Sequence, residues 1–200
     1  MENLEALAEA VVKRLFVELE ASGRHVHLSK ADADALFGHP LTPDRPLSQP
    51  GQFLSRERVT ILGPKGEFRK AAVLGPERKE SQVELSLTDC VTLGVKAPIR
   101  LSGEIRDTPG ITLMGPEGKL VLSHGVIVAR RHIHLTPEAA ARFSVRDGQV
   151  VKLETYTDRP LIFGDVVIRV SPDFAPYAHL DFDEANACGL RKGDLGRILP

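Results

Sequence analysis

The chain has 200 residues, 42% of them hydrophobic, and a formal net charge of −1 at pH 7. That is room for one large or two small globular domains with a real core. It excludes a basic nucleic-acid surface and an acidic disordered chain.

Leu4, Leu7, Ala8, Val11, Val12 and Leu15 fall on one helical stripe, which predicts an N-terminal helix. Phe16 to Ala21 then alternates apolar and polar, which predicts a strand. A Ser22-Gly23 turn leads into Arg24-His25-Val26-His27-Leu28-Ser29. Ser29 reads as the N-cap of a short helix that Gly38 ends. Ala71 to Leu74 reads as a strand, Gly75 to Lys79 as a turn, and Gln82 to Leu87 as a second strand. In that strand Val83, Leu85 and Leu87 share one face and Glu84 points to the other. Gly103 to Gly125 reads as hairpin and connector around Met114 to Gly118. Another short β run, Gly125 to Ala129, precedes Arg130-Arg131-His132-Ile133-His134-Leu135-Thr136. Thr136 is again an N-cap, with Pro137 at the first helical position. His179 stands just before an Asp-capped helix with Glu184 at its third position. Three segments, 93–101, 144–151 and 189–195, share a helix-end, tight-turn, strand-start pattern. Many short strands punctuated by Gly and Pro predict a mainly β chain of two small β-barrels with short capping helices, rather than a parallel α/β sheet.

The repeated Arg-His-(Val/Ile)-His-Leu-(Ser/Thr) motif uses four of the seven histidines. On a strand, His-x-His aims two imidazoles at one side and the branched residue at the other. Histidine pairs suit a zinc-type metal, and Val26 or Ile133 suits a core. Four imidazoles could close one sealed tetrahedral site, or two pairs could hold two ions, each needing more ligands. His179 and Glu84 are candidates for those, although Glu84 alone reads as a solvent-facing strand residue. Arg78 offers a fork to an anion but equally reads as part of a charged turn. No P-loop, dinucleotide fingerprint or Gly-x-Ser-x-Gly elbow is present. Cys90 and Cys188 are isolated and read as small buried side chains in a reducing compartment. No apolar run approaches bilayer length, and Met1 to Glu5 lacks the positive start of a signal peptide, so a cytoplasmic protein without a membrane or nucleic-acid partner is expected.

Taken together and in order, SGRHVHLS (22–29), LSQPGQF (47–53), LGPERKESQVELS (74–86), RRHIHLT (130–136) and HLDFDEANA (179–187) resemble the PduL-type phosphotransacylases, or phosphate propanoyltransferases. The likeness covers nearly the whole chain. It implies two interleaved β-barrels: a helix over 1–15, a strand over 16–21 joining the C-terminal barrel, a first barrel with its connector hairpin over 22–128, and the C-terminal barrel over 129–200. It implies interconversion of a short-chain acyl-CoA plus phosphate with acyl phosphate plus CoA at a two-zinc site, where other divalent metals could substitute. The implied ligands are His25, His27, Glu84, His132, His134 and His179. Arg78 matches the phosphate-binding arginine, and Ser22, Arg45, Leu74, His179 and Asn186 match CoA-contacting positions. Three positions depart from the family pattern. Ala72 replaces a CoA-contacting arginine, for which Arg69 or Lys70 could compensate; Arg45 stands where lysine is common; Val91 replaces an aromatic. A homo-oligomer, specifically a dimer, is expected. Some relatives enter a bacterial microcompartment by an N-terminal helix on a linker, but here no linker follows the helix, which favours free cytoplasm. The residues alone also fit a dimetal hydrolase of phosphate or acyl esters, or a non-catalytic metal-binding barrel module.

Overall fold

The computed structural model describes residues 11–12 and 14–199. The helix expected over 1–15 therefore lies mostly outside the described residues. In chain order the elements run β1 (Val17–Ser22), β2 (His25–His27), α1 (Lys30–Phe37), β3 (Pro43–Pro46), β4 (Phe53–Leu62), β5 (Glu67–Gly75), β6 (Gln82–Leu85) and α2 (Leu87–Leu93). They continue with β7 (Ile99–Arg100), β8 (Ile111–Met114), β9 (Lys119–Leu122), β10 (Val126–Ala129), β11 (His132–Leu135) and α3 (Pro137–Arg142). The last are β12 (Val150–Tyr156), β13 (Ile162–Val170), β14 (Tyr177–Asp181), α4 (Phe182–Cys188) and β15 (Leu195–Leu199).

The chain forms two compact units, one of residues 23–130 and one made of the segment ending at Ser22 with everything from Arg131. The second is a closed barrel in the order β1-β14-β11-β13-β12-β15, sealed by β1 pairing with β15. Its interior is built by period-two alternation: Val17 and Leu19, Ile133 and Leu135, Val151 and Leu153, Val166 and Ile168, Ala178 and Leu180. Ile133 is fully buried there, a burial that contributes about 1.5–3 kcal/mol. The unit of residues 23–130 is a half-barrel, a nine-stranded sheet in the order β7-β10-β6-β2-β5-β4-β8-β9 with β3 added to β4. Val26, Val59, Ile61, Val73, Val83, Leu85, Val126 and Val128 line its core.

Both units repeat one local plan. The histidine strand is central, parallel to one neighbour (β5 or β13) and antiparallel to the other (β6 or β14). The antiparallel neighbour is flanked on its far side by a parallel strand, β10 or β1. It then runs into a helix with a full capping box, Ser86 with Asp89 or Asp181 with Glu184, and a left-handed glycine at the C-terminus, Gly94 or Gly189. The helix after each histidine strand is also capped as expected, by Ser29 and by Thr136, with Gly38 in the left-handed region. The arginine that opens each motif closes the plan. Arg24 bonds Asp89 at 2.8 Å and lies 3.9 Å over the Phe68 ring. Arg131 bonds Glu184 at 2.5 Å and lies 5.9 Å over Phe163. Each arginine so ties a histidine strand to the helix that follows the neighbouring strand.

One expected strand is shorter than its pattern. β6 stops at Leu85 because Ser86 takes the N-cap, and Leu87 becomes an exposed first residue of α2 rather than a core strand position. The hairpin expected in the connector is β8 with β9. It requires glycine at position 110, where a β-carbon would lie 1.9 Å from the Leu122 carbonyl oxygen, whereas at Gly118 in the same hairpin it would meet nothing within 4 Å. Gly110→Ala is accordingly expected to lower stability by about 2 kcal/mol or more, and Gly118→Ala to leave the unfolding midpoint close to that of the parent; urea titrations of the two variants measure the difference.

Candidate functional site

Alternation on β2 buries Val26 in the core and turns His25 and His27 to the other face. Antiparallel register with β6 sets His25 opposite Glu84 and His27 opposite Gln82. The four side chains thus form one polar layer across two strands, and all four are buried. Glu84 is only 6% exposed, so the solvent-facing reading of this residue fails. Its face of the sheet is covered rather than open to water.

In this first triad His25 Nε2 and His27 Nε2 are 3.1 Å apart, and Glu84 Oε1 lies 3.5 Å from the one and 3.7 Å from the other. A regular tetrahedron around zinc, with bonds of about 2.0–2.1 Å, has edges of about 3.4 Å. The three atoms are therefore spaced as neighbouring ligands of one ion. Their outward nitrogens are held by carbonyls: His25 Nδ1 donates to Gly23 O at 2.8 Å and His27 Nδ1 to Leu74 O at 3.3 Å. That leaves each Nε2 as the ligand atom.

The electrostatics also fit a cation. Burial works to raise the Glu84 carboxyl, but the charge and hydrogen bond of His25, with His27 and Ser102, hold it well below the usual carboxylate range. Burial works to lower His25, yet Glu84 and the Gly23 carbonyl outweigh it and keep its pKa raised. Burial, then the charges of His25 and Arg78, push His27 well below the ordinary imidazole value. The buried carboxylate and the His25 imidazole thus favour each other's charged forms, a role that a metal ion would take over on displacing a proton.

The barrel repeats the arrangement with histidine in place of glutamate. β11 sets Ile133 in the core and His132 and His134 on the other face, and antiparallel β14 puts His179 directly opposite His132. The three rings have centroids 4.6, 5.0 and 5.1 Å apart. Their candidate ligand atoms lie within 4.8 Å of one another, as do those of the first triad. Glu20 Oε2 approaches His179 Nδ1 at 3.4 Å, the carboxylate–imidazole pairing usual behind metal ligands. Phe174 covers His134, its ring centroid 4.1 Å from the imidazole.

Arg78 follows the β5 turn and is held beside the end of β2, its backbone N–H donating to Leu28 O at 2.8 Å. With His27, the Pro50-Gly51-Gln52 turn and the Gly75–Glu77 segment it lines a cavity of about 310 Å³. Arg45 and Leu74 lie in one row across three strands, Arg45 opposite Leu54 and Leu54 opposite Leu74. Arg45 is exposed. In the barrel unit, Ser22 ends β1 opposite Asp181, and Asn186 is exposed on α4. Ala72 sits opposite His25 on β2 and opposite Arg58 on β4, while Arg69 is paired with Glu67 on the surface. His39 is bonded to its neighbouring Pro40 carbonyl, and both it and His124 lie away from the triads, as expected of turn residues. Cys90 and Cys188 are both buried, and neither is in a disulfide.

Pattern reasoning did not pick Gln82 or Ser102. Gln82 Nε2 donates to Glu84 Oε1 at 2.6 Å and to Ser102 Oγ at 2.9 Å, and Arg78 Nη1 donates to the same Ser102 oxygen at 2.9 Å. Two-residue spacing from Glu84 is a usable signal for Gln82. Ser102 carries none, since only folding brings it to Gln82.

A model of the phosphate propanoyltransferase family matches residues 18–191. The chain is 54% identical to phosphate propanoyltransferase of Enterococcus faecalis over 207 residues, covering 100% of this chain and 98% of that protein. It is 52% identical to the protein of the same description from Listeria monocytogenes, over 99% of this chain and 96% of that one. Thermotoga maritima has another with 52% identity, over 89% and 86% respectively. All six triad residues lie within the matched span, and the chain belongs to the phosphate propanoyltransferase family of acyltransferase enzymes.

Proposed function

We propose that the chain interconverts a short-chain acyl-CoA plus phosphate with acyl phosphate plus CoA, with one zinc-type ion at each triad. The observation that carries the two-metal part is the duplication itself. Two separate units each hold three candidate ligand atoms within 4.8 Å, on corresponding pairs of strands in the same register. A protein using histidine only for packing has no reason to repeat that set.

A bound ion of this kind supplies Lewis-acid polarisation of the thioester carbonyl and a soft partner for sulfur. Arg78 supplies a planar fork for phosphate at the cavity it shares with His27. Holding phosphate there removes part of its hydration and fixes one oxygen for attack, a proximity effect. The new carbon–oxygen bond forms as the carbon–sulfur bond breaks, and the thiolate leaves with the electron pair. Burial of His25, His27, Glu84, His132 and His134 keeps water from competing with phosphate for the acyl group. No side-chain nucleophile is needed: Cys90 and Cys188 are inside the cores, and burial first of all raises the Cys188 thiol. Ser22, Arg45, Leu74, His179 and Asn186 are proposed to bind CoA. A cytoplasmic homodimer completes the reading. Exposed Leu87 and Val91, one helical turn apart on α2, support an apolar subunit contact. Light scattering of the parent and of Val91→Asp reads it, and a parent that runs as a monomer removes the dimer.

Metal analysis is expected to find about two equivalents per chain. His25→Ala/His27→Ala and His132→Ala/His134→Ala should each retain about one, because the triads belong to different units. A parent without bound metal, or pairs of variants that both lose everything, argues against separate sites. CoA release from acetyl- or propionyl-CoA should require added phosphate; phosphate-independent release points to a hydrolase instead. Arg78→Ala should raise the phosphate KM and lower turnover, a combined loss of about 10–100-fold in kcat/KM, and unchanged phosphate kinetics would remove its assigned role.

A further inference from the structure

We propose that Gln82 and Ser102 are positioning residues that bridge the anion-binding guanidinium of Arg78 to the Glu84 carboxylate of the first triad. The inference rests on the functional reading above, in which Arg78 meets phosphate and Glu84 meets a metal ion.

The bridge is fixed at every joint. The Gly103 backbone N–H donates to Gln82 Oε1 at 2.7 Å, which settles the orientation of the amide. Gln82 Nε2 then has two hydrogens and two acceptors, Glu84 Oε1 at 2.6 Å and Ser102 Oγ at 2.9 Å. Gln82 is only 2% exposed, so losing any of these bonds strands a buried polar group. Ser102 Oγ accepts from Gln82 and from Arg78 Nη1, each at 2.9 Å. Both of its lone pairs are therefore used, and its own proton is left to donate.

Two consequences follow from this arrangement. Glu84 is a metal-facing carboxylate whose orientation depends on Gln82, as ligands generally depend on the groups behind them. Arg78 is a long side chain with several rotatable bonds, and Ser102 selects one of its poses before any anion arrives. That preorganisation lowers the entropy lost when phosphate is captured. The bridging groups come from two neighbouring stretches, the Arg78 loop beside β2 and the Gln82 strand, and from the more distant turn at 101–103. The turn at 101–103 thereby acquires a purpose that its sequence does not announce.

Ser102→Ala, Ser102→Thr and Gln82→Met test the bridge. Ser102→Ala should raise the phosphate KM about tenfold, with the acyl-CoA KM within about twofold of the parent and metal content unchanged; Ser102→Thr should restore the phosphate KM. Gln82→Met should weaken metal at the first triad by about 10–100-fold in chelator competition and leave the second triad at parental affinity. If both Ser102→Ala and Gln82→Met keep parental phosphate KM and metal affinity, the bridge is refuted. If Gln82→Met does not fold, the half-buried Ser102 pair of variants decides the matter alone. A parent protein that releases CoA without phosphate overturns the functional reading, while the Gln82→Met metal affinity still judges the link to Glu84.

Discussion

Everything at the candidate site depends on a central strand that has to serve two faces at once. In β2 and β11 the middle residue, Val26 or Ile133, is fully buried in its core, and the flanking histidines are driven to the opposite face by the same alternation. Neither strand can slip by one residue without burying imidazoles in the core and stripping the core of its branched side chain. The hydrophobic effect therefore sets the register of a polar site. The third triad residue comes from the antiparallel neighbour, opposite the first histidine in both units, so its position follows from pairing rather than from nearness in sequence.

The rest of the repeated plan supports that register. Arg24 and Arg131 begin their motifs but stand outside the triads; each pairs with a carboxylate five residues after the third triad residue, Asp89 after Glu84 and Glu184 after His179. Those carboxylates also complete the capping boxes of α2 and α4. Each arginine consequently joins the strand carrying two triad residues to the helix that ends the strand carrying the third. Exchange of first strands between the two halves adds a further constraint. β1 precedes the first histidine motif but pairs in the barrel, and β10 precedes the second but pairs in the half-barrel sheet. The chain passes from one unit to the other immediately before each histidine strand. Neither half of the repeat could fold with its own first strand in this arrangement.

The two triads differ in one residue, and the difference has a chemical meaning. Glu84 brings a negative charge to the first, backed by Gln82 and Ser102. The second has three neutral-capable imidazoles, with the carboxylate one step back at Glu20. An all-imidazole site leaves its ion with more net positive charge and so a stronger pull on an electron pair, whereas a carboxylate ligand softens it. The duplicated fold thus presents two electrostatically distinct clusters.

Much of this was legible in the residues. The strand, cap and turn positions around His25 and His132 could be read locally, because alternation, Ser/Thr/Asp caps and left-handed glycines are set by neighbours a few residues away. The doubled His-x-His motif pointed to metal and to two related units on the same basis. Pattern made Glu84 and His179 candidates, and the family likeness singled them out. Glu84 on its own strand looks like a solvent residue, and only the covering of that face makes it a buried one. Ser102 and the arginine clamps were out of reach, since they depend on hydrogen bonds across 20, 24, 65 and 53 residues of chain. The sequence by itself determined the elements, the ligand types and the two-fold repetition. The tertiary structure alone decided which strands stand side by side, because strand pairing is a long-range choice that no local preference encodes.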